Sequence, residues 1–180
     1  MRQFNHPNYQ FGMKSIFLLF WRICLFQSGP ETVPANATIT CVVLLVNAVV
    51  NILVQVALGN QELDLLRALA MASVSLASTA ALVWFVMALM SLTHRVQQTV
   101  TAMFGADVII TVITSAAFSI TGAINENIAV FTITLLTLWS LMVYGFIFHR
   151  AMDIRIGFGI ALALFVVIFS VAITQTAISS

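Results

Sequence analysis

Four polar side chains within otherwise apolar stretches are the residues of this sequence best placed to do chemistry. Asn47, Asn51 and Gln55 recur every four residues, and Asp107 is the one acid well inside a long apolar segment. Four-residue spacing puts the three amides on one face of a helix. Polar groups inside a membrane must be paired or hydrated, and they often mark the path of an ion or a proton. The sequence therefore predicts an intramembrane polar cluster.

Two interpretations of this cluster are open at this point. In the first, which we favour, the four side chains hold helices together through hydrogen bonds of about 1 kcal/mol each. In the second, they form a relay for a proton or a cation. Transporters usually interrupt helices with glycine or proline near mid-membrane, and no proline lies within a long apolar segment here. A water-filled cavity that reaches Asp107 would favour the second interpretation, and a dry interior would count against it.

The composition explains why these residues must lie in a membrane. The 180 residues are 61% hydrophobic and 7% charged, against roughly 45–50% and 25% in an average soluble domain. Crossing the hydrocarbon core takes about 20 apolar residues in a helix, and five segments reach that length. The predicted spans are Thr38–Leu58, Ala68–Leu92, Val100–Ile120, Ile128–Phe148 and Ile156–Thr176.

The spans predict the fold class. None of them alternates polar and apolar residues as a transmembrane β-strand does, and every connection is nine residues or fewer. Helices joined by such short connections are antiparallel neighbours. We therefore expect an all-α, polytopic membrane protein in which residues 38–180 form one up-and-down bundle of five transmembrane helices.

Two series of small residues at four-residue spacing predict close contacts between helices. The first series, in the second span, comprises Ser73, Ala77 and Ala81. The second, in the fifth span, comprises Gly159 and Ala163.

The basic residues predict the orientation of the bundle, because Lys and Arg of short loops are retained in the cytoplasm. With the N-terminus inside and the C-terminus outside, only Arg67 is external. The six basic residues on the cytoplasmic side are then Arg2, Lys14, Arg22, Arg95, Arg150 and Arg155. Counted from the cytoplasmic ends of their spans, Asp107 lies about 11–12 Å deep and Asn47 about 13 Å deep. We therefore expect the first and third spans to touch at these two residues.

Residues 1–37 form a separate N-terminal segment with a short apolar run near residues 13–27. We interpret the run as an interfacial helix on the cytoplasmic leaflet, with Lys14, Trp21 and Arg22 in contact with lipid headgroups or a partner. The alternative is a secretory signal with a cleavage site at Ala35–Ala37. Arg22 counts against a signal because it falls inside the hydrophobic region that a signal requires.

The remaining polar and aromatic residues give few functional signals. Cys24 and Cys41 lack the spacing of a disulfide framework or a metal site; we expect inert thiols, with S-acylation of Cys24 as the alternative. Trp84, Trp139 and Tyr144 are interpreted as packing and anchoring residues. We interpret the two histidines at the loops, His94 and His149, as solvated rather than metal-binding.

Several classes of function are disfavoured by the sequence. A net charge of +1 provides no basic surface for nucleic acid. The sequence lacks the HExxH, GxSxG, P-loop and GxGxxG motifs of common enzymes. We therefore expect no enzymatic activity, no catalytic residues, no metal and no cofactor.

Parts of the sequence resemble the Yip1 family of integral membrane proteins, particularly its bacterial members. The residues that carry the resemblance are Gln98–Gly105, Leu138–Leu141, Tyr144–Gly145 and His149. The similarity covers most of Thr38–Ile178, but the Asp-Leu-Tyr-Gly-Pro signature of eukaryotic members is absent, so their trafficking role is not implied. The resemblance implies a non-enzymatic, five-span membrane protein that shapes membranes or assists partner proteins.

The sequence thus predicts a structural, adaptor or membrane-organising protein of Yip1-like type in a bacterial inner membrane. Its expected contacts are membrane lipid and a protein partner on the cytoplasmic side. Two alternatives are kept: a small transporter or channel subunit that uses the polar cluster, and an accessory subunit of a larger membrane complex.

Overall fold

The computed structural model describes residues 13–58 and 65–179, and the regular elements in these ranges are all helical. The helices are α1 (Met13–Cys24), α2 (Ala37–Leu58), α3 (Leu65–Leu89), α4 (Val96–Gly122), α5 (Glu126–Met152) and α6 (Ile156–Ser179), with single 3₁₀ turns at Pro30–Thr32 and Thr93–Arg95. Helices α2 to α6 are each long and apolar enough to cross a membrane. The predicted fold class, five spanning helices behind a short apolar helix, is confirmed.

Four of the five spanning helices extend beyond the predicted spans, whereas α3 both begins and ends three residues earlier than the predicted Ala68–Leu92. Helix α4 begins four residues before Val100, and α5 continues four residues past Phe148. Each contains 27 residues, about 40 Å of helix, which exceeds a hydrocarbon core of about 30 Å. The apolar segments therefore locate the lipid-embedded part, and local signals set the ends. Asn125 caps the start of α5 by accepting a hydrogen bond from the backbone N–H of Asn127, and Asp153 ends α5 in the left-handed conformation.

The five long helices form a closed ring in the order α2, α4, α5, α6, α3. Each helix contacts the next one in sequence, but α2 packs extensively on α4 and α3 packs on α6. The bundle is therefore less sequential than the short connections predict, because α4 lies between α2 and α5. We call the end of the ring that contains residues 37, 89, 96, 152 and 156 the α1 half, and the other end the open half.

Helix α1 packs on the outside of the ring, against α4 and α5, in the α1 half. Phe20, Ile23 and Cys24 are buried, whereas Phe17 and Trp21 are exposed. Apolar residues at spacings of three and four occupy one face of a helix, and Phe20, Ile23 and Cys24 form such a face on α1 that packs against the ring. The opposite face of α1 is also apolar. The predicted short helix is present, although it ends at Cys24 rather than near residue 27.

Helices α5 and α6 approach each other closely at two glycines. A Cβ atom on Gly159 would lie 2.3 Å from the backbone oxygen of Gly145, so only glycine fits there. Ala163, one turn further along α6, is fully buried. The predicted contact through Gly159 and Ala163 is therefore confirmed. The prediction from Ser73, Ala77 and Ala81 is wrong, because all three side chains are exposed.

Candidate functional site: an intramembrane polar cavity

Asn47 and Asp107 meet between α2 and α4, as their matched depths predict. The Nδ2 atom of Asn47 donates to Oδ2 of Asp107 at 2.8 Å and is 3.2 Å from the backbone oxygen of Phe104. The hydroxyl of Tyr144, on α5, donates to the other carboxylate oxygen of Asp107. The carboxylate thus accepts one hydrogen bond on each oxygen and joins three helices. We call Asn47, Asn51, Asp107 and Tyr144 the carboxyl cluster.

The three amides of α2 share one face, as predicted. Asn51 Nδ2 donates to the side-chain oxygen of Asn47 at 3.1 Å and to its backbone oxygen at 3.0 Å. These bonds fix the amide of Asn47 with its nitrogen toward Asp107 and its oxygen toward Asn51. Gln55, one turn further along α2, lies on the same cavity wall but is exposed. The structure therefore brings Asn47, Asn51 and Asp107 into one network and leaves Gln55 beyond it.

A second set of polar side chains joins the neighbouring helices α3 and α6, on the opposite side of the ring from Asp107. The hydroxyl of Ser170 lies 2.9 Å from that of Ser78 and 2.7 Å from that of Thr79. We call these three residues the hydroxyl cluster. Ser78 and Ser170 are buried. Hydroxyl groups can donate and accept at once, so the cluster satisfies itself without a charge.

A cavity of about 360 Å³ lies between the two clusters. All five spanning helices contribute to its wall. Its polar lining residues are Asn47, Asn51, Gln55, Ser75, Thr79, Asp107, Tyr144, Ser170 and Thr174. The volume falls within the roughly 300–1,000 Å³ typical of small-molecule sites, so the cavity is large enough for a small solute and the waters around it.

The cavity is closed toward the α1 half and accessible from the open half. Met87, Phe104, Ile147 and Phe148 are buried between Asp107 and the α1 end. In the other direction, the lining residues Gln55, Ser75 and Val171 are exposed. Gln55 lies 18 residues from the start of α2, about 27 Å along the helix, and Asn47 lies about 15 Å along it. Asp107 is therefore near the closed end of a one-sided polar pocket.

Among the described residues that line the cavity, Asp107 is the only ionisable acid or base apart from the Tyr144 phenol. Among the side chains that the structure describes, the one ion pair joins Arg150 to Glu31 on the surface of the α1 half. No group of three or more His, Cys, Asp or Glu side chains in the described ranges could hold a metal ion. The cavity therefore contains a carboxyl group, amides and hydroxyls, without a described basic partner.

The predicted lipid- or partner-contacting residues lie on α1. Trp21 and Arg22 are exposed, which leaves them available for such contacts, while the side chain of Lys14 lies outside the described part of the structure. Cys24 is fully buried, and its thiol lies 3.8 Å from the backbone oxygen of Ala106. This burial raises the pKa of the Cys24 thiol to about 12. The thiol is therefore inaccessible to the acylation considered above.

Sequence reasoning missed four members of the two clusters: Tyr144, Ser78, Thr79 and Ser170. Tyr144 was interpreted as a packing residue, yet it bonds to Asp107. The predicted fourth span ended at Phe148, which placed Tyr144 about one turn from the helix end. Since α5 continues to Met152, Tyr144 lies about 12 Å from that end, near the level of Asp107. Counting the depth of Tyr144 from the charged residues that follow the span would have placed it near the level of Asp107.

No family model, curated protein or solved structure matches this chain. The resemblance to the Yip1 family therefore stays a prediction. The function of the chain is therefore inferred from the geometry of the cavity and of α1.

Proposed function

We propose that this chain is a small membrane transporter or a channel subunit, and that the polar cavity is its solute-binding site. The observation that carries the proposal is the cavity of about 360 Å³ that reaches Asp107. Hydrogen bonds that serve only to join helices need no adjoining space, since closely packed helices satisfy them equally well. Here the polar groups of all five helices face a shared volume. The alternative that the sequence ranked second is therefore the one that the geometry favours.

The one-sided shape of the cavity supports a transporter more than an open pore. Buried apolar side chains, including Phe104 and Phe148, close the α1 half, so a solute at Asp107 exchanges only with the open half. Transport then requires a second conformation in which the α1 half opens.

The proposed setting is a bacterial inner membrane, with the α1 half at the cytoplasmic face and no enzymatic activity. The basic residues within the described ranges support this orientation, because five of the six lie in the α1 half and Arg67, in the first turn of α3, lies in the open half. The five are Lys14, Arg22, Arg95, Arg150 and Arg155. In this orientation the cavity opens to the outside of the cell, and α1 lies at the inner leaflet.

A second candidate function is the structural, adaptor or accessory-subunit role that the Yip1-like resemblance implies. Its support is the exposed apolar face of α1. Phe17, Leu18 and Trp21 are 58%, 52% and 38% exposed, next to the exposed Arg22. An aromatic, apolar face beside a basic residue is suited to the membrane interface or to a partner helix there. This role assigns lipid, or a protein on the cytoplasmic side, as the contact of α1.

Labelling with a membrane-impermeant methanethiosulfonate reagent tests the transporter proposal. Ser75→Cys and Ala77→Cys are compared in chains that carry Cys41→Ser, because both positions are on α3 and exposed, but only Ser75 lines the cavity. The buried Cys24 remains in both. We expect labelling of Ser75→Cys in membrane vesicles from one side only, and none of Ala77→Cys. Equal labelling of the two positions, or none at either, would refute a water-filled cavity.

Solute flux into proteoliposomes completes the test. We expect flux through the wild-type chain that falls at least tenfold in Asp107→Asn and is unchanged in Glu126→Gln, an exposed acid outside the cavity.

A photocrosslinker at position 21 tests the second candidate, by whether it attaches to lipid or to a protein. An accessible cavity without Asp107-dependent flux would favour the second candidate.

A further inference from the structure

The charge of the cavity restricts what it can bind. Asp107 is negative when ionised, and no Lys or Arg is among the described side chains that line the cavity. A charge within the membrane is costly unless it is compensated. We propose that the cavity binds a small monovalent organic cation, an amine or alkylammonium, with its charge at Asp107. This inference rests on the proposed function, because it names the substrate class of the same cavity.

The groups around Asp107 suit an ammonium ion better than a metal ion. The neighbours of the carboxylate are hydrogen-bond donors: Asn47 Nδ2 at 2.8 Å and the Tyr144 hydroxyl. The side-chain oxygen of Asn47 already accepts from Asn51. A metal cation requires a shell of oxygen ligands, whereas the two side chains bonded to this carboxylate present hydrogen-bond donors to it. A carboxylate has about four acceptor positions, and two are used, so two remain for an ammonium group.

The walls of the cavity suit an organic substituent. Leu76, Met103, Phe104 and Val166 line it in the vicinity of the two clusters, and they provide apolar surface for alkyl groups. Tyr144 and Phe104 supply aromatic rings beside the carboxylate, and aromatic rings attract alkylammonium ions. A volume of about 360 Å³ exceeds what a lone metal ion requires. The combination of one carboxylate with apolar and aromatic walls is the chemistry that recognises an organic cation.

Equilibrium dialysis of the purified full chain tests this assignment. The probe is radiolabelled choline, compared with its uncharged isostere 3,3-dimethylbutan-1-ol. We expect saturable choline binding and at least tenfold weaker binding of the isostere. Equal concentrations of sodium chloride should displace little of the choline. Equal affinity for the isostere, equal displacement by sodium, or no choline binding to a folded chain would overturn the assignment.

Two pairs of variants locate the binding. Asp107→Asn should weaken choline binding at least tenfold, whereas Glu126→Gln should bind as the wild type does. Ser75→Phe should block the cavity, whereas Ala77→Phe, on the exposed side of α3 that does not line the cavity, should not. The second pair leaves the hydrogen bonds of Asp107 intact and so decides the question even where Asp107→Asn fails to fold. Unchanged binding in Ser75→Phe would place the cation elsewhere and overturn the proposal.

The failure of this inference differs from the failure of the proposed function. Choline that binds with the expected pattern but never crosses proteoliposomes would refute transport and leave the cation site intact. Asp107-dependent flux of a neutral solute or of sodium, with no choline binding, would refute the cation site and leave transport intact.

Discussion

The two halves of the helical ring have very different interiors. In the α1 half, Phe20, Phe104, Ile147 and Phe148 are buried in a continuous core. Toward the open half, the helices enclose a polar cavity. Lipid does not drive apolar helices together as water does, so association depends on close packing and on polar contacts. The helices of the α1 half associate through close packing, and those of the open half associate through polar contacts.

Glycine explains much of this difference. Gly145 and Gly159 let α5 and α6 touch, and Gly105 admits the ring of Phe20 from α1. Toward the open half, hydroxyl and amide groups join helices around a cavity. Rigid packing at one end and a polar space at the other is an arrangement suited to a one-sided binding site.

The largest effect is expected from Gly159→Val, which tests the close packing directly. Its Cβ atom would lie 2.3 Å from the backbone oxygen of Gly145, so α5 and α6 must separate. We expect a loss of about 3 kcal/mol in the free energy of unfolding, measured by titration with denaturing detergent. The matched control is Gly157→Val on the same helix, where no atom lies within 4 Å of the added Cβ. Equal losses in the two variants would contradict the role of close packing.

Gly105→Val is expected to be the next most damaging change. An added Cβ would lie 2.3 Å from the Phe20 ring, which must leave its place against α4. We expect a loss of about 2 kcal/mol and release of α1, detected as protease cleavage between α1 and α2. Adding Phe20→Ala should recover part of the loss, because it removes the clashing ring. A purely additive double variant would show that Phe20 and Gly105 do not interact.

Asn47→Ala and Ser75→Ala compare a polar group that joins helices with one that only lines the cavity. Asn47 bridges α2 and α4, so its truncation should cost about 1 kcal/mol. Ser75 is exposed to the open half, and its truncation should change the unfolding free energy by less than about 0.5 kcal/mol. The same detergent titration measures both. A larger loss in Ser75→Ala would mean that the open half depends on its lining for stability.

The smallest effect at neutral pH concerns Cys24. Because burial raises its pKa from 9.0 to about 12, the folded chain keeps the thiol protonated where the unfolded chain ionises it. The contribution of the protonated Cys24 thiol to the free energy of unfolding is complete below pH 9, and it is lost as the pH rises from about 9 to about 12. We expect a small membrane-permeant alkylating reagent to leave Cys24 unmodified at pH 10 in a Cys41→Ser chain, and to modify it after denaturation. Rapid modification of the folded chain would show that α1 detaches from α4.

Sequence determined the helices and two contacts between them. Five apolar segments of sufficient length force five helices in lipid, because backbone groups have no other way to satisfy their hydrogen bonds there. The contact of Asn47 with Asp107 followed from equal depth, since each residue adds a fixed rise along a helix. Gly159 indicated its helix contact because only small side chains permit such an approach.

Tertiary structure decided which helices are neighbours and where space remains. Apolar faces of similar hydrophobicity do not specify partners, so the placement of α4 between α2 and α5 could not be predicted from the loops. For the same reason Ser73, Ala77 and Ala81 were assigned to a contact although they are exposed. The cavity remains where the surfaces of the five spanning helices do not pack against one another, so the sequence of a single helix does not specify it. Ser170 and Tyr144 became members of a site only when the ring closed around the volume that they line.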